Sequence, residues 1–156
     1  MKIAWIKDED SAPVVAAARL LDLISADEAV TWASRRIDSS DPESMIILAT
    51  QPFPADKLQV DDALRELAEA EGQTLTDATA RRLMARHVAL SILSGSIDPY
   101  SGARAIWGLA AQVADQECFA PFIGAASGWE DEPDYRSEYE QDIIAAAKDL
   151  VKDRTS

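Results

Sequence analysis

The sequence predicts an all-α fold of about eight helices, arranged as antiparallel hairpins in a compact bundle or a short stack of α-solenoid type. Three observations support this prediction. Apolar residues recur at the helical period along almost the whole chain, and only Lys2 to Ile6 has the composition of a short strand. Several of these segments are rich in alanine and leucine, which are strong helix formers. Capping residues, prolines and glycines separate the segments and leave short connections.

The first four helices are predicted over residues 13–24, 26–37, 42–50 and 60–71. Pro13 suits a first helical turn, where its missing N–H costs nothing. Ser25 with Glu28 three residues later forms a capping box, and the tight turn before it predicts a hairpin of the first two helices. Asp41 caps the short third helix, and Gly72 ends the fourth in a left-handed conformation.

The last four helices are predicted over residues 74–94, 99–116, 119–128 and 133–152. Thr74 or Thr76 caps the fifth helix, and Gly95 ends it. Asp98 caps the sixth helix. The eighth begins at Pro133, behind acidic residues that favour the positive end of a helix dipole.

The stretch around the sixth helix contains glycines that resemble a phosphate-binding loop, but no lysine follows them to neutralise a phosphate. We therefore expect the glycines to serve packing. Gly102 and Gly108, with neighbouring alanines, keep the helix slim enough for close approach of another helix. Ile106 and Trp107 supply its large buried side chains. A Gly102→Leu substitution should then destabilise the protein by more than about 2 kcal/mol.

Length and charge limit the function classes. The 156 residues fit one domain over residues 1–156, and the formal charge is −13, with both ends acidic and the centre neutral. Such a field repels nucleic acid and anionic membranes and attracts basic partners. Cys118 is the only cysteine, so no intrachain disulfide forms, and no apolar run is long enough to span a membrane. We expect a soluble, cytoplasmic protein.

The sequence offers no catalytic, cofactor or metal site. His87 is the only histidine and has no acidic residue three or four positions away, as a helical metal motif requires. Cys118 has acidic neighbours, which do not activate a thiol, and is expected as a small buried side chain. The acidic run at 130–134 lacks the spacing of a calcium loop. Three arginines, at 81, 82 and 86, are expected in salt bridges with the acidic flanks.

One segment has the composition of a protein-binding surface. Residues 128–140 combine aromatic side chains, which dominate interface energetics, with acidic neighbours that steer association. Tyr135 and Tyr139 lie four residues apart and are expected on one helix face. The alternative interpretation is that these rings pack inward on the preceding helix. The candidate protein-binding residues are Trp129, Glu130, Asp131, Glu132, Asp134, Tyr135, Glu138 and Tyr139.

Three stretches carry a resemblance to known proteins: LLDLISADEAVTWASRRI, SGSIDPYSGARAIW and FIGAASGWEDEPDYRSEYEQDIIAAAKDLV. They resemble small helical bacterial proteins, some of which look like immunity proteins of bacterial toxin systems. The shared residues are packing and turn residues, so no functional residue is carried over. The resemblance implies a non-enzymatic binding protein.

The sequence therefore favours a non-enzymatic protein-binding module, such as an acidic immunity or inhibitor protein that covers a basic toxin or effector. Two alternatives stay open. One is a structural or assembly protein, for example a homodimer that buries one helical hairpin. The other is an enzyme or small-ligand binder with a cleft between helices.

Overall fold

The computed structural model describes residues 4–38, 40–110 and 117–152, and within these ranges the chain forms eight α-helices, one 3-10 turn and no strand. The predicted all-α class is confirmed. The chain divides into two compact units, Met1–Ala80 (unit 1) and Arg81–Ser156 (unit 2). The single domain expected over residues 1–156 stays a prediction. None of the described helices combines the length and the apolar character needed to cross a bilayer.

Unit 1 contains the helices α1 (Ala12–Leu20), α2 (Ala26–Arg36), α3 (Glu43–Ala49) and α4 (Lys57–Ala70). Helix α4 packs against the other three, and α1 packs more on α4 than on its hairpin neighbour α2. This arrangement encloses a core of apolar side chains whose largest members include Val15, Trp32, Leu48, Val60 and Leu64.

Helix α1 ends at Leu20, before the predicted end at Ile24. Asp22 adopts a left-handed conformation with φ of 57°, which stops the helix, and aspartate is one of the few non-glycine residues that tolerate it. The following helix begins as predicted, because the Ser25 hydroxyl accepts the Glu28 backbone N–H at 3.1 Å. The capping serine therefore predicted the start of α2 correctly, whereas the end of α1 was predicted too late.

The cap predicted for α3 is wrong, and α4 has a cap that was not predicted. Asp41 does not cap α3, since its side chain accepts the Asp38 backbone N–H at 2.7 Å. Asp56 does cap a helix, by accepting the N–H groups of Leu58 and Gln59 at 3.0 and 3.3 Å. Helix α4 therefore begins three residues before the predicted start, within what was expected to be a loop.

Unit 2 begins within helix α5 (Asp77–Ser94) and continues with α6 (Pro99–Ala110), α7 (Ala120–Asp131), a 3-10 turn (Pro133–Tyr135) and α8 (Arg136–Lys152). Helix α7 packs against both α6 and α8, and α6 also packs against α8. Residues 111–116 of the predicted sixth helix lie outside the described residues. The large fully buried side chains of this unit include Met84, Ile106, Phe119, Phe122 and Ile143.

Helix α6 follows the packing prediction at only one of its two glycines. A Cβ atom on buried Gly102 would lie 2.5 Å from Cγ1 of Ile92, so a side chain there has no room. Gly108 is exposed with open space around it, and its predicted packing role is wrong. Ile106 is fully buried, but Trp107 is half-buried beneath the guanidinium of Arg104, whose Cζ lies 4.4 Å from the ring centroid.

Two of the clustered arginines tie α5 to neighbouring helices. Arg81 Nη1 donates to the carbonyl of Leu109 in α6 at 2.9 Å, and Arg86 Nη2 donates to the carbonyl of Val151 in α8 at 2.9 Å. For Arg86, the structure gives a carbonyl partner in place of the carboxylate that the sequence predicts.

Candidate functional site

The acidic aromatic segment, residues 128–140, forms the corner between α7 and α8. Its first residues complete the last turn of α7, and Glu132 breaks the helix with an extended backbone at φ −127° and ψ 78°. Pro133 then opens the 3-10 turn, and α8 starts at Arg136. Pro133 therefore begins a 3-10 turn and not α8, as was predicted, and Asp131 is the last residue of α7.

Trp129 is the structural centre of this corner. Its ring stacks on that of Tyr100, with centroids 3.9 Å apart and an angle of 17° between the planes. The guanidinium Cζ of Arg136 lies 3.8 Å from the indole centroid, so two groups cover the two ring faces. Trp129 Nε1 also donates to Oε1 of Glu140 at 3.3 Å. A partner protein would therefore reach only the edge of this half-buried indole.

Tyr139 is also held within the chain. Its ring lies against Gly128, where an added Cβ would come 2.3 Å from ring carbons, so a side chain at that position would displace the ring. Its hydroxyl donates to Oε1 of Glu132, and this hydrogen bond raises the pKa of Tyr139 above the ordinary tyrosine value. The inward-packing interpretation of the sequence thus describes Trp129 and Tyr139 better than the anchor interpretation does.

Tyr135 differs from the other two aromatic residues. It ends the 3-10 turn ahead of α8, so it does not share one α-helix face with Tyr139 as predicted. Its side chain is not enclosed by the corner, and the residue is 51% exposed. Among the aromatic candidates, Tyr135 is the one placed to meet a partner.

The five predicted carboxylates fall into two groups. Glu130 accepts the Tyr100 hydroxyl at 2.7 Å, which raises the pKa of Tyr100, and Glu132 accepts the Tyr139 hydroxyl. The others are exposed and, within the described part of the chain, have neither a hydrogen bond nor an ion pair; they are Asp131, Asp134 and Glu138. The corner therefore presents Tyr135 among three uncompensated negative charges.

Sequence reasoning missed the residues that support this corner from outside it. Tyr100 and Arg104 come from α6, and Arg104 Nε lies 3.9 Å from Oε1 of Glu130. Nothing in the local sequence connects them to Trp129, because the contact depends on the packing of α6 against α7. Arg136 lies inside the segment, and its Nε donates to the carbonyl of Trp129 at 3.1 Å, a role that its position seven residues later does not reveal.

Unit 1 has a cleft of about 330 Å³ between α1 and α4. Arg19 lies in it with a side chain only 10% exposed, and its Nε donates to Oδ1 of Asp61 at 2.8 Å. Nη1 of the same guanidinium donates to the carbonyl of Ile24 at 2.9 Å. The cation is therefore satisfied by the chain itself, and its arrangement is that of a structural ion pair.

His87 and Cys118, the residues considered for catalysis, both belong to unit 2. His87 is half-buried in the middle of α5. Cys118 is half-buried rather than buried as predicted, and it lines a second cleft of about 390 Å³ together with Pro121, Asp142 and Asp149.

The described residues contain no group of three or more histidine, cysteine, aspartate or glutamate side chains placed to hold a metal ion. The corner between α7 and α8 presents one exposed aromatic ring and three exposed carboxylates, supported by the packed side chains of Trp129 and Tyr139. Comparison of the chain with protein-family models, with curated proteins and with solved structures finds no match.

Proposed function

We propose that the chain is a non-enzymatic protein-binding module that covers a basic partner protein with the corner between α7 and α8. One observation carries the proposal: Tyr135 is 51% exposed and is surrounded in sequence by the free carboxylates of Asp131, Asp134 and Glu138. An exposed tyrosine is a frequent energetic anchor of interfaces. Unpaired carboxylates beside it attract lysine and arginine side chains.

The Trp129 stack supports the proposal through pre-organisation. Tyr100 and Arg136 cover the indole faces, and Tyr139 packs on Gly128, so the backbone that carries Tyr135 is already ordered. A surface that is ordered before association loses less conformational entropy on binding. Trp129 and Tyr139 thus act in the proposed function as supports of the surface, and Tyr135 acts as its anchor.

The net charge of −13 adds a long-range attraction to the local contacts made by Tyr135 and its neighbouring carboxylates. A strongly acidic protein attracts a basic partner before contact and raises the association rate, an effect that salt screens. This chemistry fits an immunity or inhibitor protein that binds a basic toxin or effector and blocks its working surface, as the resemblance of the helical stretches suggests.

The test is capture of a basic protein by the immobilised full chain from a nuclease-treated lysate of the cells that produce it. We expect capture to weaken at least about tenfold in a variant with Asp131→Lys, Asp134→Lys and Glu138→Lys, and also in Tyr135→Ala. The matched control reverses three exposed acids elsewhere in the chain, Glu9, Glu69 and Glu71, and therefore makes the same change in net charge.

Capture that survives the corner variants, or that weakens equally in the control, would refute the proposed surface. Circular dichroism of each variant verifies that the helices are retained. Added salt should weaken capture by the wild type and by Tyr135→Ala by a similar factor, because both keep the acidic charges. It should weaken capture by the triple lysine variant less, because salt screens the charges and not the contact made by the ring.

A further inference from the structure

Unit 1 exposes an unusual concentration of apolar side chains. Four of the eight large hydrophobic residues that are exposed in the described chain fall between residues 46 and 58. Ile46 and Ile47 are each 43% exposed, Phe53 is 63% exposed and Leu58 is 68% exposed. We call these four residues the α3–α4 surface. Single exposed hydrophobic residues are ordinary, but such a group marks a surface that contacts something else.

The geometry of α3 explains why its isoleucines face outward. Met45 and Leu48 are buried and lie about 60° apart around the helix, since each residue advances by about 100°. Ile46 and Ile47 fall on the opposite side and are exposed. A run of four apolar residues in a seven-residue helix cannot bury every side chain against one neighbour, so half of the run stays in solvent.

A glutamine links the outer side of α3 to the start of α4. Gln51 Nε2 donates to the carbonyl of Ile47 at 3.3 Å and to Oε1 of Gln59 at 2.8 Å. This bridge places the end of α3 beside the first turn of α4, which carries Leu58, and Phe53 lies in the connection between them. The four exposed residues therefore belong to one helix–turn–helix corner of the chain.

Acidic residues surround this apolar group in the sequence and at α4. Residues 38–58 contain one basic residue, Lys57, and four acidic residues, Asp38, Asp41, Glu43 and Asp56. Glu66 of α4 adds a further carboxylate beside α3, where its Oε2 accepts the Ser44 hydroxyl at 2.6 Å. We call these flanking carboxylates the acidic rim, and an apolar group flanked in this way is the complement of an apolar stripe flanked by lysine or arginine.

The charge decides between two occupants. A second copy of this chain would face the surface with itself, so the same acidic rim would meet across a two-fold axis and like charges would oppose association. A basic partner places opposite charges at every rim position. The α3–α4 surface therefore fits a basic partner better than a homodimer.

We infer that the α3–α4 surface docks a basic amphipathic helix of a partner protein, with apolar side chains on Ile46, Ile47, Phe53 and Leu58 and cationic side chains toward the rim. Amphipathic helices bind in this way through residues three and four positions apart. The inference rests on the proposed function in one respect, the basic character of the partner, but it uses a different unit of the chain.

The experiment uses the full chain and a fluorescently labelled synthetic peptide of lysine and leucine, with the leucines at the helical period. A scrambled peptide of the same composition is the first control. We expect the periodic peptide to bind at least about tenfold more tightly than the scrambled one. Ile47→Ser with Leu58→Ser should weaken its binding at least about tenfold, as measured by fluorescence anisotropy, because both side chains are already exposed and the fold does not depend on them.

The matched control variant is Leu90→Ser with Leu93→Ser, two exposed leucines of α5, and it should leave peptide affinity unchanged. Equal binding of the scrambled peptide, or an equal loss in the α5 control, would overturn the inference. So would light scattering that shows a wild-type dimer which Ile47→Ser with Leu58→Ser dissociates, since the occupant would then be a second copy.

The two proposals fail separately. If capture depends on Asp131, Asp134 and Glu138 but the periodic peptide does not need the α3–α4 surface, this inference alone is wrong. If the peptide needs the α3–α4 surface while the corner variants capture as the wild type does, the contact surface of the proposed function is wrong and this inference stands.

Discussion

Trp129 stacks face to face on Tyr100, with ring centroids 3.9 Å apart and planes inclined by 17°. The contact joins the first turn of α6 to the last turn of α7, at the place where the chain turns toward α8. Arg136 closes the other face of the indole, and Glu130 accepts the Tyr100 hydroxyl. The corner that carries Tyr135 is therefore fixed by a side chain that belongs to another helix.

The stack should contribute a measurable coupling energy. A double-mutant cycle with Tyr100→Ala and Trp129→Ala is expected to give a coupling energy of about 1 kcal/mol in the free energy of unfolding. Stacked aromatic pairs contribute roughly this much stability beyond that expected from the apolar area they bury. Urea unfolding followed by circular dichroism measures each variant. Additive effects of the two substitutions would contradict a stabilising stack.

Two glycines of α6 provide a matched pair for the packing argument. Gly102→Leu should destabilise the protein by more than about 2 kcal/mol, because even its Cβ would meet Ile92 at 2.5 Å. Gly108→Ala should instead stabilise it by up to about 1 kcal/mol, since that position is exposed, helical and open. Thermal melts compare the two, and an unchanged melt for Gly102→Leu would exclude the close contact with Ile92.

Two arginines of unit 1 compare an ion pair with a buried guanidinium and an ion pair that is exposed on both sides. Arg19→Ala should cost about 1 to 2 kcal/mol, because it removes the donor of the part-buried carbonyl of Ile24 and the partner of Asp61, which is itself 47% exposed. Arg65→Ala should cost less than about 1 kcal/mol, because Arg65 and Asp62 are both largely exposed at 3.2 Å. Urea unfolding of the two variants gives the comparison, and equal costs would contradict the buried character of Arg19.

The hydrogen bond to Glu130 raises the pKa of Tyr100, so the folded state favours the neutral phenol. The stability that this hydrogen bond contributes is fully present below the ordinary tyrosine pKa of about 10. It is lost as the pH rises through the higher pKa of Tyr100 in the folded state. In a chain with Tyr135→Phe and Tyr139→Phe, tyrosinate absorbance reports Tyr100 alone. Adding Glu130→Gln should move that titration to lower pH, whereas Asp131→Asn should move it much less. Superimposable curves for the Glu130→Gln variant and its parent would refute the role of the carboxylate.

Much of the helical pattern follows from the sequence alone, because helix ends depend on neighbouring residues. Ser25 caps α2 as predicted, and Thr76 caps α5 by accepting the Thr79 N–H at 3.2 Å. Gly72 and Gly95 end α4 and α5 with φ of 83° and 80°. Each of these choices is made within one helical turn, where the sequence contains both partners.

The role of each side chain on its helix depended on tertiary structure. Sequence reasoning identified the acidic aromatic segment, but only the packing of α6 on α7 shows that Trp129 supports the corner and that Tyr135 is exposed. Likewise, the run that contains Ile46 and Ile47 reads as apolar throughout, and the position of α4 decides which half is buried. The sequence determined the helix caps, because each cap is a contact between residues a few positions apart. The fold decided which side chains are buried, because burial depends on residues that are distant in the sequence.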